Sequence, residues 1–511
     1  MRRRGIWLLV STMVMSLALF GCGVDSSNQG SPNDGFSEVV VAIPTDPEGL
    51  DPHKTESAAA GEIEFNIYEG LLKPDTDGKL IGAVAQDHWD ISPDGTKYTF
   101  YLRDNIHFHN GRKVTVEDVI FSFNRIMDPD TGHPRAKEYQ IVERVEAVGG
   151  NAIRFSLSES YAPFLANLAA ISGAIVPQEA VDGLMTEPVG TGPFKFSSWE
   201  PGQSIVLERF EEYRIPERPI LDRVVFRIIS DDATAMMNLQ TGDIDIYPRI
   251  PNESAAEVEA NDKLKLVVAP QNLVQLMVIN NIREPFNDLR IRQALLHAVD
   301  KQEIIEGAMW GYGVALGSNM SPVMGYWYKD LNDMYPYDPD KARDLLAEAG
   351  YPDGFTTTLA LPAPYTPHIR TGEIIKAQLE KVDIEVQLQI VEWATWLEAI
   401  YAGRDYDMTV IGFTGKLDPH TVLYRYESDY GRNFFNFTNA EYDQLISEGT
   451  RVTDPEERQE IYYRCQEILA EEAAAVYIQD PHLLIGMGKG VQGWQVYPIY
   501  VMDMSTVYVE R

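Results

Sequence analysis

Histidine is the side chain best suited to hold a metal or move a proton near neutral pH. His107 and His109 stand two apart, on one face of the chain if that segment is extended. A protein metal site needs three or four ligands, and the neighbouring sequence supplies no third. Asp75-Thr76-Asp77-Gly78 begins like a calcium loop but lacks the further oxygen ligands at alternate positions, so it reads as a turn. Gly311, Gly313 and Gly317 (GYGVALG) depart from the spacing that cradles a dinucleotide. The chain has no G-x-S-x-G elbow, H-E-x-x-H helix, C-x-x-C pair or Walker-type phosphate loop. Triads assemble in space and leave no sequence motif, so an exported hydrolase stays open. The reading favoured here is a protein that is not an enzyme and calls for no cofactor and no metal.

The elements that must position any site alternate in type. Short β-branched or aromatic runs bounded by Gly, Pro or Asp predict strands at 39–43, 98–103, 224–229, 264–269, 273–280, 356–361, 386–391 and 408–413. Helical periodicity predicts helices at 116–126, 289–299, 339–349, 372–381 and 455–475. Thr115 with Asp118 three residues on forms a capping-box variant, and Asp338-Pro339 and Gly350 start and stop the third helix. The proline-rich stretches 215–219 and 361–367 read as loops within domains. Alternating strands and helices predict an α/β architecture, and 511 residues predict more than one core.

Composition narrows the partners. There are 77 Asp and Glu against 43 Lys and Arg, a formal charge of −34. So negative a surface repels phosphate backbones, which excludes nucleic acid as a partner class. Arg2, Arg3 and Arg4 precede an apolar run over 6–20, too short to span a bilayer comfortably and built like a secretory signal. Gly21-Cys22 ends it, and 19–22 (LFGC) resembles a lipobox. Residues 1–21 are therefore read as a signal peptide, Cys22 as the lipid attachment site, and 22–38 as a Ser-, Gly- and Asn-rich tether. The expected location is outside the cytoplasmic membrane, held by lipid (the periplasmic side where there are two membranes). A lipidated Cys22 leaves Cys465 without a disulfide partner, and its helical setting reads as a buried thiol.

Several segments, taken in order, resemble family 5 of the bacterial extracellular solute-binding proteins, which includes oligopeptide, dipeptide and nickel binders. They are 66–71 (NIYEGL), 89–122 (WDISPDGTKYTFYLRDNIHFHNGRKVTVEDVIFS), 190–193 (GTGP), 239–246 (LQTGDIDI), 290–300 (RIRQALLHAVD) and 337–354 (YDPDKARDLLAEAGYPDG). Physically most of these are structural: Asp94-Gly95 reads as a hairpin turn, and Gly190 and Gly192 as places of positive φ or close backbone approach. The resemblance implies a two-lobed periplasmic-binding-protein-like α/β fold with an extra inserted subdomain and a hinge between lobes. Lobe I would comprise 39–84, 190–269 and 484–511, the inserted subdomain 85–189, and lobe II 270–483, with crossings near Pro270 and Leu484. It also implies a monomer that captures a solute in the cleft and delivers it to the permease of an ABC importer.

In that family the stretch matching 410–419 (VIGFTGKLDP) borders the cleft. Peptide binders carry an Asp for the peptide amine where this chain has Lys416. Dipeptide binders carry an Arg for the carboxylate where it has Ala363, before 364–367 (PYTP). Lys416 is therefore read as contacting a ligand oxygen or pairing with Asp418, and Asp418 as touching ligand or capping the turn beside Pro419. Tyr365, Trp393, Trp396 and Phe413 are candidate cleft walls, although the i, i+3 spacing of the tryptophans suits core packing equally. The expected solute is peptide-like, an oligosaccharide or an acidic compound. A metal complex, with His420 as its contact, is the alternative.

Overall fold

Two crossings organise the molecule. The computed structural model describes residues 36–510. The signal segment, Cys22 and nearly all of the tether therefore lie outside the described residues. A seven-stranded sheet has the order Leu264–Ala269, Leu483–Gly488, Ile246–Tyr247, Glu38–Ile43, Arg223–Ile228, Ser204–Arg209, Phe194–Glu200. A six-stranded sheet has the order Gly313–Ala315, Ala475–Pro481, Leu273–Ile279, Met408–Thr414, Phe355–Pro362, Ile384–Val391. The chain passes from the first to the second through 270–272 and returns through His482. The crossings are tied together: the Asp480 carboxylate accepts the Asn272 and Leu273 amides at 3.1 and 3.2 Å. It also accepts the Ser321 hydroxyl.

Strand composition explains each layer. All seven residues of Ala475–Pro481 are buried, as suits an interior strand covered on both faces. Phe355–Pro362 and Ile384–Val391 pair in parallel over their whole length, and the helix Thr366–Glu380 makes the required crossover. In the other sheet, Val39, Val41 and Ile43 alternate inward beside Val224 and Phe226 of the parallel neighbour. A separate four-stranded antiparallel sheet runs Ala85–Ile91, Lys97–Leu102, Ala152–Leu157, Val142–Gly149. Its apolar face packs Phe100 and Phe155 edge to face at 5.9 Å, above Phe123 of the helix Val116–Met127.

Most predicted strands fall within a residue or two of those observed; two helices differ. The helix expected at 372–381 begins at Thr366, inside the stretch read as a loop. Pro367 sits in its first turn, where no N–H donor is needed, so the proline starts the helix and does not break it. The helix expected to reach 475 ends at Glu471, because Ala473 turns left-handed (φ 47°) to launch the strand at Ala475. Cys465 is buried in that helix, and burial pushes its thiol pKa up. Asp118 accepts the Thr115 amide at 2.9 Å, closing the expected cap. Gly190 and Gly192 serve close approach: an added Cβ would meet Ile67 O at 2.1 Å and Asn66 O at 2.5 Å. Their neighbour His109 uses both ring nitrogens on this backbone, Nδ1 accepting from Gly190 N at 3.3 Å and Nε2 lying 3.1 Å from Gly192 O.

Candidate functional site

A cavity of about 640 Å³ opens where the two sheets meet at the crossings. This volume suits a small organic ligand. Arg249, Ile250 and Asn252, beyond the strand Ile246–Tyr247, supply one wall together with Leu483 and Leu484. Gln271, Pro481 and His482 supply the floor at the crossings. The opposite wall comes from the six-stranded sheet and its helices, and it is aromatic.

Four of the sequence candidates, Tyr365, Trp393, Trp396 and Phe413, line that wall. Trp393 stacks on Trp396 at 5.1 Å and 8°, and Trp396 on Tyr401 at 6.0 Å and 14°. Tyr365 meets Trp393 edge-on at 5.2 Å. Trp396 is only 2% exposed, and its indole donates to Thr409 Oγ1 at 3.0 Å, which itself donates to Ala360 O. Trp396 is therefore the anchored middle of the ladder and Trp393 its open end. The ladder depends on a π-helical stretch, Trp396–Ala402, whose wide turn brings residues five apart towards one face. No sequence signal announced that turn, and Tyr401 was missed with it.

His368 was also missed, because it lies between the stretch read as a loop and the helix expected at 372–381. It lines the cavity beside Tyr365, and burial lowers its pKa to about 4, so the ring is neutral. Gln275 Nε2 donates to His368 Nδ1 at 2.8 Å, while Gln275 Oε1 accepts from Gln479 at 2.7 Å and Thr371 at 3.3 Å. This network assigns the ring proton to Nε2. Gly412 leaves room beside the ring, since an added Cβ there would come within 3.4 Å of His368 Cε1.

The charged candidates lie elsewhere. Both Asp418 oxygens are taken by Arg458 at 2.8 Å, and Oδ1 also accepts the His420 amide at 2.9 Å. Side-chain exposures of 6% and 7% make this a buried pair. Of the two roles read for Asp418 the structure shows the cap beside Pro419, and its carboxylate is bonded to Arg458 and not to Lys416. Lys416 is not on the cavity wall and has no hydrogen bond or ion pair to a described residue. Desolvation first, then the Arg135 charge, lower its pKa to about 8, while Glu138 opposes. Its side chain nonetheless keeps substantial contact with water. His420 lies between Tyr161 and Tyr424, away from the wall, with its pKa lowered to about 4 by burial. Among the described residues no group of three His, Cys, Asp or Glu is placed to hold a metal ion.

Among the described residues of the wall none is Asp or Glu. Three carboxylates close to the crossings or the aromatic wall in sequence or space are committed: Asp480 to the crossings, Asp418 to Arg458, and Glu62 to Arg249. Arg249 is the only Lys or Arg on the described wall.

Two sheets joined by two short crossings around a solute-sized cavity define a two-lobed binding-protein fold. Residues 79–434 match the family described as "Bacterial extracellular solute-binding proteins, family 5 Middle". A dipeptide-binding protein of Pseudomonas aeruginosa is 31% identical, over 92% of this chain and 94% of its own length. A glutathione-binding protein of Pectobacterium atrosepticum is 29% identical, over 94% and 96%. The Helicobacter pylori periplasmic binding protein DppA, in complex with the peptide STSA, superposes with a TM-score of 0.75 at 28% identity, over 93% and 99%. The chain belongs to family 5 of the bacterial extracellular solute-binding proteins, and is an extracytoplasmic receptor that captures a small organic solute for an ABC importer.

Proposed function

We propose that this receptor captures a peptide-like solute that brings no free ammonium into the cavity, and that it works by closure without performing chemistry. The observation that carries the reading is the wall itself, drawn from both sheets and both crossings and devoid of carboxylates. An ammonium enclosed there would lose water and gain no counter-ion, which is strongly unfavourable. The peptide-related names of the relatives support a peptide-like backbone. The test is calorimetry with matched pairs of free and N-acetylated di- and tripeptides. Acetylated members should bind about 30-fold tighter or more, the scale of an unpartnered buried charge. Equal or tighter binding of the free peptides would overturn this.

The crossings at 270–272 and His482 act as the hinge between lobes I and II in this reading. Saturating ligand should shrink the radius of gyration in small-angle scattering, and tight binding without any change would count against closure. Cys22 is proposed to carry lipid that holds the receptor at the outer side of the membrane. Cys22→Ser should release it to the soluble fraction and abolish labelling by a clickable fatty acid.

A further inference from the structure

We infer that Arg249 is the specificity-determining residue for an anionic group, preferably a carboxylate, on the solute. This rests on the reading of the cavity as the solute site. The family resemblance left this chain without a carboxylate receptor, because Ala363 stands where dipeptide binders place an Arg. Arg249 supplies a cation from the opposite wall, beyond the strand Ile246–Tyr247.

Three observations point the same way. First, Arg249 is held in place: one terminal nitrogen pairs with Glu62, whose side chain is 2% exposed, and the Tyr500 ring lies 5.3 Å from the guanidinium carbon. Second, the guanidinium has donors to spare. Arginine has five N–H groups, and among the described residues Glu62 is its only polar partner. Its side chain is still 32% exposed, and the residue stands between the solute cavity and a smaller pocket of about 40 Å³ that Glu62 and Tyr500 also line. Third, the wall holds no carboxylate to compete for those donors. A guanidinium oriented by a buried acid and with N–H groups to spare suits the two oxygens of a carboxylate. A solute with its anion on Arg249 and an apolar group on Trp393 would touch both walls at once, and so would favour their approach.

The experiment is a cycle between residue and ligand group. Calorimetry compares N-acetyl-Phe-Leu with its C-terminal amide, and indole-3-acetate with indole-3-acetamide. Removing Arg249 alone would leave Glu62 buried without its cation and could unfold the protein. The double variant Glu62→Gln, Arg249→Gln neutralises the pair, and a thermal melt checks its fold; Arg249→Lys keeps the charge but not the fork. Wild type should prefer the acid over the amide by about 30-fold or more. The double variant should lose that preference, and Arg249→Lys should retain only part of it. An acid preference that survives in the double variant, or no preference in wild type, overturns the inference. Discrimination seen only with the indole pair leaves the role of Arg249 standing and removes the peptide-like reading. Binding of neither pair overturns both.

Discussion

Trp396 of the aromatic wall and the Asp418–Arg458 pair are both buried, and Trp396 and Asp418 come from segments flanking one strand, Met408–Thr414, yet the wall and the pair serve opposite ends. The wall leaves its outermost indole, Trp393, half-buried, with Trp396 stacked on one face and Tyr365 meeting it edge-on. The ion pair leaves nothing unfinished: each Asp418 oxygen has an Arg458 nitrogen, and Arg458 Nε has Gly449 O at 2.7 Å. A group whose partners are all within the fold has nothing left for a ligand. That criterion, more than proximity to a motif, separates support from site.

The largest break expected is at the pair. Asp418→Ala strands a buried guanidinium and should cost roughly 3–5 kcal/mol in urea denaturation. Replacing both partners with apolar residues of similar volume should recover most of it. Ligand affinity of the folded protein should not change, and a loss of affinity at constant stability would return Asp418 to the site. Within the wall, the two tryptophans should separate in the same way. Trp396→Ala removes a fully packed ring and should cost about 3–5 kcal/mol of stability. Trp393→Ala should leave the denaturation midpoint nearly fixed and weaken binding of N-acetyl-Phe-Leu by roughly two- to tenfold, the scale of one aromatic pair. If both affect stability equally, the ladder is core and not wall.

Glu64, a buried acid without a cation, sharpens the contrast with Asp418. Its pKa is raised to about 8, chiefly by desolvation, with Asp51 and Glu48 adding to the effect and the Thr55 hydroxyl opposing it at 2.7 Å. The folded protein therefore keeps a proton that the unfolded chain releases from about pH 4.5 upward. The contribution of this group to stability is full below that pH and is lost as pH rises through about 8. Glu64→Gln should flatten the fall in urea midpoint between pH 5 and pH 8, and an unchanged slope would assign that fall to other groups. The smallest effect belongs to Lys416→Ala, which should alter solute affinity less than about twofold because the residue is off the wall, on the ordinary scale of a surface substitution. A larger loss would restore the role that its place in the sequence implied.

Sequence alone determined eight of the strands, the caps of the helices at 116 and 339, and the family, and it marked Gly190 and Gly192 as places of positive φ or close approach. Each follows from local chemistry: β-branched runs, a Thr with an Asp three later, glycines where backbones touch. It also named the four aromatics that line the cavity, while leaving core packing equally open for the two tryptophans. What it could not give was which charge has a partner. Asp418 lies two residues from Lys416 and forty from Arg458, and only the packing of the helix Pro455–Glu471 against that turn decided between them. Arg249 and Glu62 likewise come from distant segments, so nothing local marked them as a pair. The π-helical turn under Tyr401 was invisible for a related reason. Its sequence, WLEAIYA, carries no Pro or Gly that would mark a departure from the α-helix. Periodicity is written along the chain; the satisfaction of buried charge is settled only when the chain has folded.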